Sequence, residues 1–197
     1  MRKELPVSYY TGQGYLRKGK FELYLPLYKE ASMLLPDPST DPKILDLGCG
    51  VGFFAKVLYD SGYKNYVGID FSAKIINHAK KQAPHYIYKV ENLYSPGAKK
   101  IISKYRIFTA LETLEHIEGD IEILKFIPKG ATLIASLPSG LSKGHIRAFS
   151  GPDAVINRYN KLFTFDYMKV ISLNPKKKAV VTIFRGKRKW KWENLMI

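Results

Sequence analysis

An α/β domain with a mostly parallel sheet follows from the way apolar runs are spaced along this chain. From Pro42 onward, short strand-like runs alternate with stretches of helical period, in turn Lys43–Leu47, Phe53–Asp60, Tyr66–Asp70 and Ala73–Gln82. Such alternation indicates a parallel sheet covered by helices. A glycine-rich turn, Gly48-Cys49-Gly50-Val51-Gly52, joins the first strand to the first of these helices. A length of 197 residues, 46% hydrophobic and 25% charged, supplies one domain with a core of its own.

Residues 1–40 read as an N-terminal helical cap, rich in tyrosine (Tyr9, Tyr10, Tyr15, Tyr24, Tyr28). Pro26 suits the first position of a helix that ends before Pro36-Asp37-Pro38. Residues 41–197 form the main domain. Ser61-Gly62 closes the first helix, and Ser72 is a good N-cap for the second, whose Ile75, Ile76 and Ala79 make an apolar face. Further strands are expected at His85–Val90, Tyr105–Leu111 and Ala131–Leu137, then a helix at Asp153–Tyr159. Leu162–Leu173 and Ala179–Phe184, joined by Asn174-Pro175 and three lysines, suggest an antiparallel hairpin at the sheet edge.

Composition narrows the setting. A lone cysteine, Cys49, forms no internal disulfide, and Met1-Arg2-Lys3-Glu4 lacks the apolar stretch of a secretory signal. The longest apolar run, Ala131–Leu137, falls far short of the roughly 18 residues that span a bilayer. A soluble, cytoplasmic protein is expected. The formal net charge is +15, and eight basic residues against one acid lie between Lys176 and Ile197. Lys187, Arg188, Lys189 and Lys191 alternate there with Trp190 and Trp192. Cations beside indoles suit phosphates and unpaired bases, although a solvated hairpin turn with a frayed tail accounts for them as well.

The glycine turn carries the chemistry. Glycines at alternate positions allow a ligand close to the backbone, and Asp70 closes the next strand 18 residues after Gly52, where ribose hydroxyls would lie. The spacing matches neither the dinucleotide fingerprint nor the P-loop. The stretch Asp46-Leu47-Gly48-Cys49-Gly50-Val51-Gly52 resembles motif I of the class I S-adenosylmethionine-dependent methyltransferases. The resemblance continues through Val67–Ser72, Leu111–Ile117 and Ser136-Leu137-Pro138, covering roughly residues 41–150. It implies a Rossmann-like seven-stranded sheet, mostly parallel with an antiparallel C-terminal hairpin. It also implies S-adenosylmethionine as cofactor. Asp46 and the turn (Gly48, Cys49, Gly50, Gly52) would take its methionine part, Asp70 its ribose, and Phe71 one face of its adenine. Glu91 or Asn92 would stand near the adenine amine, and Leu111 would line the site. Cys49 reads as a small buried residue rather than a nucleophile.

Glu112, Glu115 and His116 have the spacing i, i+3, i+4 and would share one face if the chain turns helical after the fourth strand. His145, in the loop after the fifth, is placed to meet them. Two carboxylates and two imidazoles make a ligand set suited to Mg²⁺, Mn²⁺, Zn²⁺ or Fe²⁺. The pattern is similar to that of the small-RNA 3′-terminal 2′-O-methyltransferases and the ubiquinone-biosynthesis O-methyltransferases. That similarity implies a metal that activates an acceptor hydroxyl. The other use of the cluster is metal-free, with His116 as general base beside Glu115. The expected function is methyl transfer to nucleic acid, RNA above all, through the basic C-terminal segment. The alternatives are a small-molecule O-methyltransferase and a non-catalytic module that binds cofactor and RNA.

Overall fold

Strands β1 (Ile44–Leu47) and β2 (Tyr66–Asp70) are buried at every position, as strands flanked by helices on both faces must be. The computed structural model describes residues 3–10, 20–174 and 179–190. The remaining strands are β3 (Ile87–Val90), β4 (Ile107–Leu111), β5 (Thr132–Pro138), β6 (Phe163–Asn174) and β7 (Ala179–Arg188). They form one seven-stranded sheet in the order β3-β2-β1-β4-β5-β7-β6. The first five are parallel, and β7 runs antiparallel to both β5 and β6, giving the expected C-terminal hairpin. Chain order reverses between β1 and β4, so the carboxyl ends of these two strands border the crevice where open α/β sheets bind ligands.

The helices are α1 (Val7–Tyr10), α2 (Lys20–Met33), α3 (Phe53–Asp60), α4 (Ala73–Gln82), α5 (Pro96–Ile102), α6 (Asp120–Leu124) and α7 (Pro152–Tyr159). Ser72 caps α4 by accepting the Ile75 amide at 3.3 Å, and Ser95 caps α5 through Ala98 N at 2.9 Å. Each cap satisfies an amide that the first helical turn leaves without a partner. Two cores sandwich the sheet. One gathers Leu45, Leu47, Phe108, Leu133 and Tyr159; the other gathers Leu27, Ile44, Phe54, Ile76 and Ile183.

One expectation needs correction. Pro26 does not open a helix: α2 begins at Lys20 and Pro26 lies inside it. Proline there removes the hydrogen bond an amide would make to Glu22. Burial of Leu27 and Ala31 in the core offsets that loss, because tertiary packing overrides local propensity. Of the basic C-terminal residues, Arg185 and Arg188 are engaged by the fold while Lys187 is exposed. Strand β7 extends four residues beyond Phe184, pairing Lys187 with Thr132 and Gly186 with Leu133. Arg188 is 5% exposed and donates to Leu162 O at 3.0 Å. Arg185 is tied to Asp166 at 2.9 Å and to Leu34 O at 3.2 Å. Trp190 is exposed and lies beside Gly130, while Lys176, Lys177, Lys178, Lys191 and Trp192 fall outside the described residues. Among the described residues, no helix is long and apolar enough to cross a membrane.

Candidate active site

A cavity of about 720 Å³ opens over the carboxyl ends of β1, β2 and β4. The glycine turn forms its floor. Gly50 has φ 54°, and a Cβ built there meets nothing within 4 Å. The turn's amides are largely committed within the fold: those of Gly48 and Cys49 both donate to Ile69 O, at 2.9 and 3.0 Å, and that of Gly52 donates to Cys49 O at 3.2 Å. Its backbone therefore offers mainly carbonyl oxygens to a ligand. The thiol of Cys49 is buried and pushed far above its ordinary pKa by desolvation, which agrees with a packing role.

Asp46 lies beneath this turn, 3% exposed. Tyr66 donates to its Oδ2 at 2.6 Å and Thr109 to its Oδ1 at 2.7 Å. Burial raises its pKa to about 6 against the opposing effect of these two donors. Asp46 thus braces β1 against its neighbours while also lining the cavity. Asp70, at the end of β2, receives the Ser72 amide at 3.0 Å and the Gly50 amide at 3.3 Å, which joins it to the glycine turn. Phe71 is partly exposed, and Tyr10 meets it edge-on at 5.6 Å. Glu91 and Asn92 line the same wall. Glu91 accepts the Ser95 hydroxyl and Asn92 Oδ1 accepts the Tyr94 amide at 2.9 Å. Leu111 closes the side toward β4.

Beyond β4 the chain does not form the α-helix that would put Glu112, Glu115 and His116 on one face. Glu112 has φ 53°, and a 3-10 turn follows at Leu114–His116. The Ser136 hydroxyl donates to Glu112 Oε1 at 3.0 Å and accepts the Glu112 amide at 2.9 Å. This exchange ties Glu112 to β5, and its side chain still lines the cavity with Glu115. The atoms that gather belong to Glu115, His116 and His145, with their ligand atoms all within 4.8 Å of one another. Glu112 is not part of that group.

In both histidines Nδ1 faces a backbone carbonyl, and the Tyr10 hydroxyl lies 3.4 Å from that of His116. His116 Nδ1 lies 2.9 Å from Gly144 O and His145 Nδ1 lies 3.0 Å from Gly140 O. A carbonyl only accepts, so each Nδ1 carries a proton, and Nε2 is the acceptor nitrogen of the neutral ring. The loop after β5 reaches His116 because residue 144 is glycine: its φ is 96°, and a Cβ would press on the Tyr9 ring at 3.0 Å and on His116 Nδ1 at 3.4 Å. Glu115 is fully buried, and neither carboxylate oxygen receives a hydrogen bond among the described residues. Oε1 lies 3.6 Å from His116 Nε2. Burial and the neighbouring Glu112 push its pKa well above the usual carboxylate range, while burial brings that of Glu112 to about 7.

Sequence reasoning assigned no site residue in the tyrosine-rich N-terminal segment, which supplies the cavity's roof. Tyr24 and Tyr28 of α2 stack at 6.1 Å and line the cavity, and the i, i+4 spacing that places them together was readable. Residues 4–10 lie across the opening. Glu4 accepts the Tyr94 hydroxyl and the Glu118 amide, Tyr9 donates to Lys143 O at 2.8 Å, and Tyr10 packs edge-on to His116 at 5.5 Å. Nothing local in the sequence marks these long-range partners.

The sheet order and a cavity at its switch point define a Rossmann-like methyltransferase fold. The sequence model for the methyltransferase domain matches residues 16–139, and the chain belongs to that family. Among solved structures it is similar to the magnesium protoporphyrin IX methyltransferase of Synechocystis PCC 6803 with bound S-adenosylhomocysteine. That similarity has 15% identity and a TM-score of 0.70, covering 92% of this chain and 97% of that one. It is also similar to the N-methyltransferase NodS of Bradyrhizobium japonicum WM9 in complex with S-adenosylhomocysteine (16% identity, TM-score 0.64, covering 84% of this chain and 87% of that one). A third similar structure is the methyltransferase domain of bacterial CtHen1-C (18%, 0.63, 85% and 100%). No curated protein matches the sequence.

Proposed function

We propose that the chain transfers a methyl group from S-adenosylmethionine to a hydroxyl of a small acceptor held beneath the tyrosine-lined roof. The observation that carries this reading is the closure of the cavity by Glu4, Tyr9 and Tyr10 on one side and by Tyr24 and Tyr28 on the other. The cofactor's methionine end suits the carbonyls of the glycine turn, its ribose suits Asp70, and its adenine suits the face of Phe71. Both similar structures with bound S-adenosylhomocysteine share this fold. Methyl transfer then depends on placing the acceptor in line with the sulfonium carbon and on removing the acceptor's proton. His116 Nε2 is the acceptor nitrogen fixed by the Gly144 contact, and it takes that proton; the imidazolium so formed is stabilised by Glu115 when ionised.

A divalent ion also fits these residues. Glu115, His116 and His145 would hold it through one buried carboxylate and two imidazoles whose Nδ1 protons are engaged by carbonyls, the usual arrangement of metal-binding histidines. Such an ion would lower the pKa of a bound acceptor hydroxyl. Chelation separates the two uses. If His116 acts as base, metal-stripped protein keeps its turnover; if the ion is needed, turnover falls while S-adenosylhomocysteine binding persists. In either case His116→Asn lowers turnover by about 100-fold or more.

A second reading, with RNA as acceptor, is favoured by the net charge of +15. Incubation with methyl-labelled S-adenosylmethionine and fractionated cell extract tests both. Label in the small-molecule fraction is expected. Label confined to RNA, with affinity falling steeply as salt rises, would establish the second reading instead.

A further inference from the structure

The proposed site is assembled from two segments distant in sequence: the turn Leu114–Glu118 after β4 carries Glu115 and His116, and the loop after β5 carries His145. Besides His116 itself, the Arg147 side chain spans them. Arg147 Nη1 donates to Leu114 O at 2.6 Å and to Ile117 O at 2.5 Å, and Nη2 donates to Glu118 O at 3.0 Å. One residue earlier, the Ile146 amide donates to Glu115 O at 2.9 Å. The guanidinium therefore serves as donor to the carbonyls of Ile117 and Glu118 and as a second donor to Leu114 O, which also accepts the Ile117 amide at 3.3 Å. Its planar fork suits several acceptors at fixed angles, which an ammonium does not.

The far side of Arg147 is anchored as well. Asp120 is fully buried and lies 3.4 Å from Arg147 Nη1. It is itself held by Arg158 Nε at 2.8 Å and by the Tyr159 hydroxyl at 2.7 Å, both from α7. Without Arg147, Asp120 would keep its pairing with Arg158, so the buried acid would not be left uncompensated.

We propose that Arg147 is the positioning residue that locks the Glu115–His116 turn to the His145 loop. It thereby sets the contact between His116 Nδ1 and Gly144 O that leaves Nε2 as the proton acceptor. The inference rests on reading Glu115, His116 and His145 as the proton-transfer site. The two histidines report differently on it. His116 leans on a carbonyl across the joint, whereas His145 leans on Gly140 within its own loop. Loss of the lock releases the first and spares the second.

The test uses the full chain with histidine rings labelled with ¹⁵N, saturated with S-adenosylhomocysteine. In Arg147→Ala the His116 ring leaves its Nδ1-protonated tautomer and His145 keeps its own. Cofactor affinity stays near wild type, and labelled methyl transfer falls about 100-fold. Arg147→Lys behaves like the alanine variant. Added guanidinium enters through the open cleft beside Arg147, Asn157 and Arg158 and restores both the ring signals and turnover. Unchanged His116 signals in Arg147→Ala, full function in Arg147→Lys, or loss of cofactor affinity that guanidinium does not restore would each overturn the proposal. Failure of the underlying reading has a different signature: His116→Asn would leave methyl transfer intact whatever the ring signals of the Arg147 variants show.

Discussion

Gly50→Arg is expected to remove all detectable S-adenosylhomocysteine binding while leaving a folded protein. The glycine has φ 54° and open space where a Cβ would stand, at the floor of the cavity. A left-handed backbone costs an ordinary residue about 1–2 kcal/mol, which a domain with two packed cores tolerates. The side chain then extends into the space the ligand needs. Thermal melts with and without saturating ligand check this: wild type shifts upward on binding and the variant does not shift, although both unfold cooperatively. An equal ligand-induced shift in the variant would place the ligand elsewhere.

The second large effect is on stability and pH. Glu112 in the folded protein has its pKa raised to about 7 by burial. A folded value above the unfolded one means that the proton stabilises the fold below the unfolded value of about 4.3. That contribution fades as pH rises through 7. Ligand-free wild type should therefore lose about 3 kcal/mol from this group between pH 4 and pH 8. Glu112→Gln keeps an acceptor for the Ser136 hydroxyl but has no proton to lose. At pH 8 it should be more stable than wild type by about that amount, and near pH 4 the two should be alike. Urea unfolding at both pH values measures the difference, and the repulsion due to the +15 charge largely cancels in the comparison. Equal stability of the two proteins at pH 8 would show that Glu112 ionises without cost.

What was legible in the sequence was local. The glycine turn, the Ser72 cap and the buried strands follow from spacing within a few residues, and the sheet built from them has the expected form. Pro26 misled because it lies inside α2, where the burial of Leu27 and Ala31 holds the helix together around it. The Glu112–Glu115–His116 spacing misled in part because one backbone angle at Glu112 and one hydroxyl on β5 break the helical period. Arg188 looked like a phosphate ligand until the length of β7 placed it in the interior. The role assigned to Arg147 could not be read at all, since its partners lie about 30 residues away and no spacing rule links them.

Titration calorimetry of the unmodified chain with S-adenosylhomocysteine tests whether the Asp46–Gly52 turn and Asp70 form a cofactor site. Saturable binding of one ligand per chain, abolished in Gly50→Arg, is the predicted result. No heat of binding at saturating ligand, from protein shown to be folded, would contradict it.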